Sequence, residues 1–351
     1  MANIVILGAG VMGSALAVPP ATHSSNNVTL VGSPLDDHII AAICKDRHHP
    51  TLNASIPEAV HALHLNELPD EVLALADVIV IGVSSAGVPW VSDFLSTRQA
   101  KPDILALVTK GLVQNPEQNS PPLTYADALN ASLTHPAGRI VGIGGPCIAR
   151  ELALGYPTRV TFASADPQLA TSMRMQFQTD YYRVTTHHDI VGLEACAALK
   201  NFLCIGVSAM LSAHPLDDSH AKNPLAGLYN QAVLELYTLS QWISRSSSSA
   251  QDGHVAFDLA GMGDLHVTVG GGRNSRLGKL LGAGESLTSI LTGSMKGVTV
   301  EGVDTGRNLM DAYRNACKQG TLDAAKLPLT SAILECIDNN GAFNFNFADL
   351  P

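Results

Sequence analysis

Residues 3–8, NIVILG, run without interruption into GAGVMG, which sets Gly8, Gly10 and Gly13 in GxGxxG spacing. The run before the glycines is short, apolar and rich in β-branched residues, as suits a central parallel strand covered on both faces. SALAV follows as a helix start. Gly8 permits a tight turn, Gly10 lets backbone approach a pyrophosphate, and Gly13 permits close helix–strand packing. The diphosphate would then rest on the helix N-terminus. Strand, glycines and helix in this order predict a dinucleotide site lined by Gly8, Gly10, Val11, Met12 and Gly13.

Three further strand-like runs, NVTLVG (27–32), ADVIVIGV (76–83) and DILALVTK (103–110), extend the pattern to a doubly wound sheet. An acid at the end of the second strand would favour NAD, and an arginine nearby would favour NADP. The chain has Gly32-Ser33-Pro34 there, so neither rule is met. Ser33 could donate to a 2′-phosphate, while Asp36 and Asp37 lie a few residues late. The cofactor expectation is therefore NAD or NADP, leaning weakly to NADP. Lys110 ends DILALVTK at the carboxyl edge, where open α/β sheets bind ligands. GIGGPCIARELA (142–153) is another apolar run entering glycines and then a helix, with backbone N–H groups at 144–149 available to a cofactor or anion.

From about residue 189 the strand signal fades. The division expected is 1–188 as a Rossmann-type dinucleotide-binding domain and 189–351 as a mainly α-helical substrate-binding and catalytic domain. Lys200 sits in the middle of DIVGLEACAALKNFLCIGVSAMLSA (189–213), an otherwise apolar helix. An ammonium is costly there unless it is paired or faces a polar cavity. With Asn201 beside it, Lys200 is a candidate acid/base or anion-binding group; a snorkelling lysine, or one paired with Glu194, is the alternative. Farther on, AGMGDLHVTVGGGRNSRLGKLLGAG (260–284) carries Asp264, Thr268, Arg273, Asn274 and Arg276 around a triple glycine, a composition suited to holding a phosphate. HPLDDSHAKNP within 212–224 and the serine run 244–249 read as solvent loops.

A formal net charge of −10 argues against nucleic acid as a partner and requires a local cationic cluster for any anionic ligand. Six cysteines without a CxxC pair suit a reducing compartment. The chain enters a strand directly, and the apolar run 202–213 is short for a bilayer, so a cytoplasmic protein without membrane contact is expected. The pairs His48/His49, His61/His64 and His187/His188 lack an acid or cysteine framework, read as surface histidines, and predict no metal site.

In order, GAGVMGSALA, VTKGL (108–112), GGPCIARELALGYPT (144–158), VGLEACAALKN (191–201), GMGDLHVT with GGGRN, and VEG (300–302) resemble the NAD(P)-dependent glycerol-3-phosphate dehydrogenases over essentially the whole chain. HHPTLN (48–53) and the GGGRN form look like an archaeal-type branch. The resemblance implies reversible hydride transfer between NAD(P)H and dihydroxyacetone phosphate, serving glycerophospholipid metabolism. It implies that Lys200 is catalytic and that Lys110 lies against both substrate and nicotinamide. It also implies that Asp264, Thr268, Arg273 and Asn274, with Gly145 and Cys147, meet the substrate, and that Gly145, Ala149, Arg273 and Glu301 line the cofactor. Two departures stand out. Cys147 replaces the serine or threonine the family usually carries after GP, and Gly272 replaces the serine that usually precedes RN. A reductase of opine or ketopantoate type, or a non-catalytic nucleotide sensor, is the competing reading. A homodimer is left open.

Overall fold

The structure, a computed structural model, describes residues 2–117, 119–133, 139–216, 219–244 and 254–351. The chain forms two compact units. One comprises Met1–Lys110 and Tyr125–Ile190, and the other Gly111–Thr124 and Val191–Pro351. The division by packing is thus not a single cut, because the segment from Gly111 to Thr124 belongs with the later half of the chain.

The first unit holds an eight-stranded sheet among the described residues. Its strands are β1 (Ala2–Leu7), β2 (Asn26–Val31), β3 (Val60–Leu63), β4 (Val78–Ile81), β5 (Ile104–Leu107), β6 (Ile140–Gly144), β7 (Thr158–Ala163) and β8 (Tyr182–His187). They lie in the order β8-β7-β6-β5-β4-β1-β2-β3. The first six run parallel, β7 is antiparallel to β6, and β8 is parallel to β7. The order reverses between β1 and β4, the topological switch point outside which such sheets bind ligands. Strands β4 and β5 are buried at every residue, which explains why their sequences are continuous apolar runs rather than alternating ones.

Helix α1 (Val11–Leu16) follows β1 through the glycine turn, and α2 (Asp37–Asp46) follows β2. Gly8 takes φ +109°, and a Cβ at Gly13 would fall 2.1 Å from the Gly8 carbonyl oxygen, so both glycines are obligatory. Nothing lies within 4 Å of where a Gly10 Cβ would stand, so this backbone faces open space.

The second unit is helical around α3 (Ile190–Ala213), whose middle is buried on every side. By length and composition α3 could cross a membrane, yet its apolar stretch is wholly enclosed by protein. Around it stand α4 (Lys222–Ser244), α5 (Asp264–Gly270), α6 (Arg273–Gly282), α7 (Glu301–Lys318) and α8 (Pro328–Asn339). Glu235, fully buried on α4, accepts hydrogen bonds from Leu329 N, Thr330 N and Thr330 Oγ1 and ties the start of α8 to α4. Of the stretch expected to be a solvent loop, residues 212 and 213 end α3, Pro215–Leu216 pairs with Ser219–His220, and Lys222 opens α4, so regular structure occupies most of it. Ser244 is the buried last residue of α4, and the rest of the serine run lies outside the described residues.

Candidate active site

Helix α3 carries Lys200 at 5 % exposure and Asn201 beside it, both buried. The ammonium is paired. Lys200 Nζ donates to Asp264 Oδ1 at 2.8 Å and to Thr268 Oγ1 at 2.7 Å. Thr268 Oγ1 donates in turn to the Asp264 carbonyl at 2.7 Å, so its lone pair is what faces Lys200. Asp264 and Thr268 are one turn apart on α5 and present a single face to the lysine. A π-helical turn at Leu259–Gly263 leads into α5 and sets Asp264 at its start. Asp264 is 3 % exposed, so this ion pair is largely desolvated and both charges depend on each other. The alternative of a snorkelling lysine gives way to this arrangement.

The triple-glycine loop separates α5 from α6, with Gly272 at φ +100°. That is a conformation side chains with a Cβ rarely adopt, and it accounts for glycine where the resembling family usually has serine. Arg273 opens α6 and forms an ion pair with Glu301, the first residue of α7. Asn274 is buried and its Oδ1 accepts from Gly302 N at 2.9 Å, which fixes the VEG segment against α6. Thus Lys200, Asp264 and Thr268 form one cluster, and Arg273, Asn274 and Glu301 form a second within the same unit.

In the first unit, the cofactor candidates share one edge of the sheet. Gly8 to Gly13 follow β1, Ser33 follows β2, Lys110 follows β5, and Gly145, Cys147 and Ala149 follow β6. These four strands run parallel, so their carboxyl ends open on the same side. Val11 is exposed at the start of α1, and Lys110 and Cys147 are half-buried. The bare backbone at Gly10 fits a bound diphosphate.

Glycerol-3-phosphate dehydrogenase sequence models match both parts of the chain: the N-terminal NAD-dependent model covers residues 3–170 and the C-terminal model residues 189–344. The NADP(+)-dependent glycerol-3-phosphate dehydrogenase of Archaeoglobus fulgidus is 34 % identical over 90 % of this chain and 90 % of its own. The chain belongs to the NAD-dependent glycerol-3-phosphate dehydrogenase family. A glycerol-3-phosphate dehydrogenase [NAD(P)+] of Symbiobacterium thermophilum is 30 % identical over 95 % of this chain and 89 % of that protein. The fold matches the glycerol-3-phosphate dehydrogenase structure from Saccharomyces cerevisiae with a TM-score of 0.78, covering 97 % of this chain and 96 % of that one at 17 % identity. Family membership makes the chain a dehydrogenase of CH–OH donors that acts on a small molecule with NAD or NADP. It does not favour an opine- or ketopantoate-type reductase, and the similarity to an archaeal relative supports the branch read from HHPTLN and GGGRN.

Two residues at the glycine turn were not among the sequence candidates. Asp36, set aside as too late after β2, reaches back: its Oδ2 accepts from Ala9 N at 2.9 Å and Ser33 N at 2.8 Å. Asp37 points elsewhere and pairs with His64 at 3.0 Å. His49, read as a surface histidine, is fully buried, because its ring is consumed by backbone hydrogen bonds. The signal was present in HHPTLN, which looked like a branch marker without a physical role. Among the described residues no cluster of three or more His, Cys, Asp or Glu is arranged to hold a metal.

Proposed function

We propose that this member of the family transfers hydride reversibly between NAD(P)H and the central carbon of dihydroxyacetone phosphate, giving sn-glycerol 3-phosphate. The carrying observation is the buried Lys200–Asp264–Thr268 cluster. The nicotinamide supplies the hydride when bound; the remaining work falls to side chains. Lys200 Nζ gives its proton to the oxygen that becomes the alkoxide, and takes it back in the reverse direction. Asp264 holds that ammonium in place, and Thr268, its own proton committed to the Asp264 carbonyl, adds a second acceptor that fixes the direction of Nζ. Lys110 polarises the carbonyl oxygen. Arg273 meets the phosphate with its forked donors, and the Asn274 amide nitrogen assists while its oxygen stays on Gly302. Gly145 and Cys147 complete the substrate contacts.

Gly8, Gly10, Val11, Met12 and Gly13 would hold the dinucleotide's diphosphate and Ser33 its adenosine ribose, and Lys110, Ala149, Arg273 and Glu301 are the further residues that would contact it. Either dinucleotide serves, with a modest lean to NADP, since the relative from Archaeoglobus is named NADP(+)-dependent. Its product supplies glycerophospholipid synthesis in the cytoplasm. The partner is the small-molecule phosphate, not nucleic acid or a membrane. NADH and NADPH oxidation with dihydroxyacetone phosphate, run beside unphosphorylated dihydroxyacetone, tests the reading. Turnover should be far faster with the phosphorylated ketone; equal rates with both ketones would overturn it.

A further inference from the structure

Between α2 and β3 the HHPTLN motif forms a short hairpin, His48–His49 pairing antiparallel with Ala54–Ser55, and its buried His49 has a use for each ring nitrogen. Nδ1 accepts from Thr51 N at 3.2 Å and Leu52 N at 3.0 Å. Nε2 stands 2.9 Å from the Ala9 carbonyl oxygen. Two amide donors on Nδ1 and a carbonyl on Nε2 permit one form only, the neutral imidazole with its proton on Nε2, which therefore donates to Ala9. The same carbonyl accepts from Ser14 Oγ at 3.0 Å, and the Ala9 N–H is held by Asp36 at 2.9 Å.

We infer that His49 is a positioning residue for the dinucleotide: with Asp36 it grips the Ala9 peptide groups from both ends and holds the glycine turn in the shape that accepts a diphosphate. The inference rests on reading GAGVMG as the cofactor turn. A residue flanked by two glycines has wide backbone freedom, and fixing it on binding would cost conformational entropy. The side chains of His49, Asp36 and Ser14 impose that order beforehand. The Ala9 carbonyl is drawn into the protein, while Gly10 is left facing open space. Preorganisation of this kind raises affinity without touching the ligand. A neutral ring enclosed by backbone groups is no phosphate ligand, which separates His49 from the residues that meet the cofactor.

Two conservative variants separate the bonds. His49→Gln keeps a donor that reaches Ala9, whereas His49→Asn keeps the acceptor for Thr51 and Leu52 but falls short of Ala9. Dissociation constants for NADH and NADPH from fluorescence titration, with KM and kcat, are measured below each variant's unfolding temperature. His49→Asn should raise the dinucleotide dissociation constant and KM by about tenfold, with a smaller change in kcat, and His49→Gln should stay within about threefold of wild type. An Asn variant that binds like wild type, or Asn and Gln variants impaired equally, would overturn the positioning role and leave His49 a structural residue. Gly10→Val tests the underlying reading separately, since its Cβ meets open space and the fold should persist. Loss of dinucleotide binding there supports the cofactor turn. Unchanged binding would remove the turn as the site and the inference with it.

Discussion

Lys200 Nζ lies 2.8 Å from Asp264 Oδ1 with both side chains almost fully enclosed, on two helices of the same unit. Breaking such a pair by deleting one partner strands the other charge. The pair is therefore a poor device for stability and a good one for holding an ammonium in one direction. Asp264→Asn keeps an acceptor for Lys200 and removes the charge. It should lower kcat/KM for dihydroxyacetone phosphate by about 10- to 100-fold with little effect on dinucleotide affinity. Steady-state kinetics and a dinucleotide titration check both halves.

Arg273→Ala should damage use of the phosphorylated ketone by about 2–4 kcal/mol in kcat/KM, the value of a charge-assisted contact. The arginine is half exposed and paired with Glu301, so it is held at the start of α6 without being buried away from a ligand. The same substitution should leave the slow reaction with unphosphorylated dihydroxyacetone nearly unchanged. An equal loss on both ketones would count against phosphate recognition.

Asp36 places a carboxylate between Ala9 and Ser33, at the turn where the adenosine ribose is proposed to lie. Asp36→Asn keeps an oxygen for both amides and removes a charge that opposes a 2′-phosphate. The ratio of kcat/KM for NADPH over NADH, modestly above one in the wild type, should rise by about 5- to 10-fold. A ratio that does not move would place the 2′-position away from Asp36.

Burial holds His49 below its ordinary histidine value, against the backbone bonds and the nearby Asp36 charge that favour the protonated ring; His48 acts in the same direction as burial. The folded state therefore binds the proton less readily than the unfolded chain. The stability that follows is fully present above the unfolded value, about pH 6.5, and is lost as pH falls through the depressed folded value. Thermal unfolding from pH 7.5 to 5 should show a steeper acid decline in the wild type than in His49→Gln, which has no proton to gain. Parallel declines would mean that His49 does not carry this dependence.

Much of this was legible in the sequence because local constraints dominate there. NIVILG-GAGVMG reads as strand, turn and helix since Gly8 and Gly13 are demanded by close backbone contacts. The apolar runs of β4 and β5 and the helix around Lys200 announce burial by composition. What stayed hidden depends on contacts distant in sequence. The resemblance set Lys200 and Asp264 at one substrate, with Asp264 able to orient the lysine, but nothing near Lys200 singles out Thr268 on another helix as a direct partner. Asp36 was judged by its position after β2, but the turn at residues 33–36 folds it back onto Ala9. The His48/His49 pair looked like a polar surface element. Only the tertiary course of HHPTLN distinguishes the exposed His48 from the buried His49. The cluster of Arg273, Asn274 and Glu301 likewise required α6 and α7 to meet.

The most direct test of the account is the turnover of Lys200→Ala with dihydroxyacetone phosphate at saturating NAD(P)H, set beside its dinucleotide affinity. Loss of the general acid should lower kcat by at least about 100-fold while the dissociation constant of the dinucleotide stays near that of the wild type. Near-wild-type turnover in a folded Lys200→Ala protein would contradict the assignment of the buried ammonium to proton transfer.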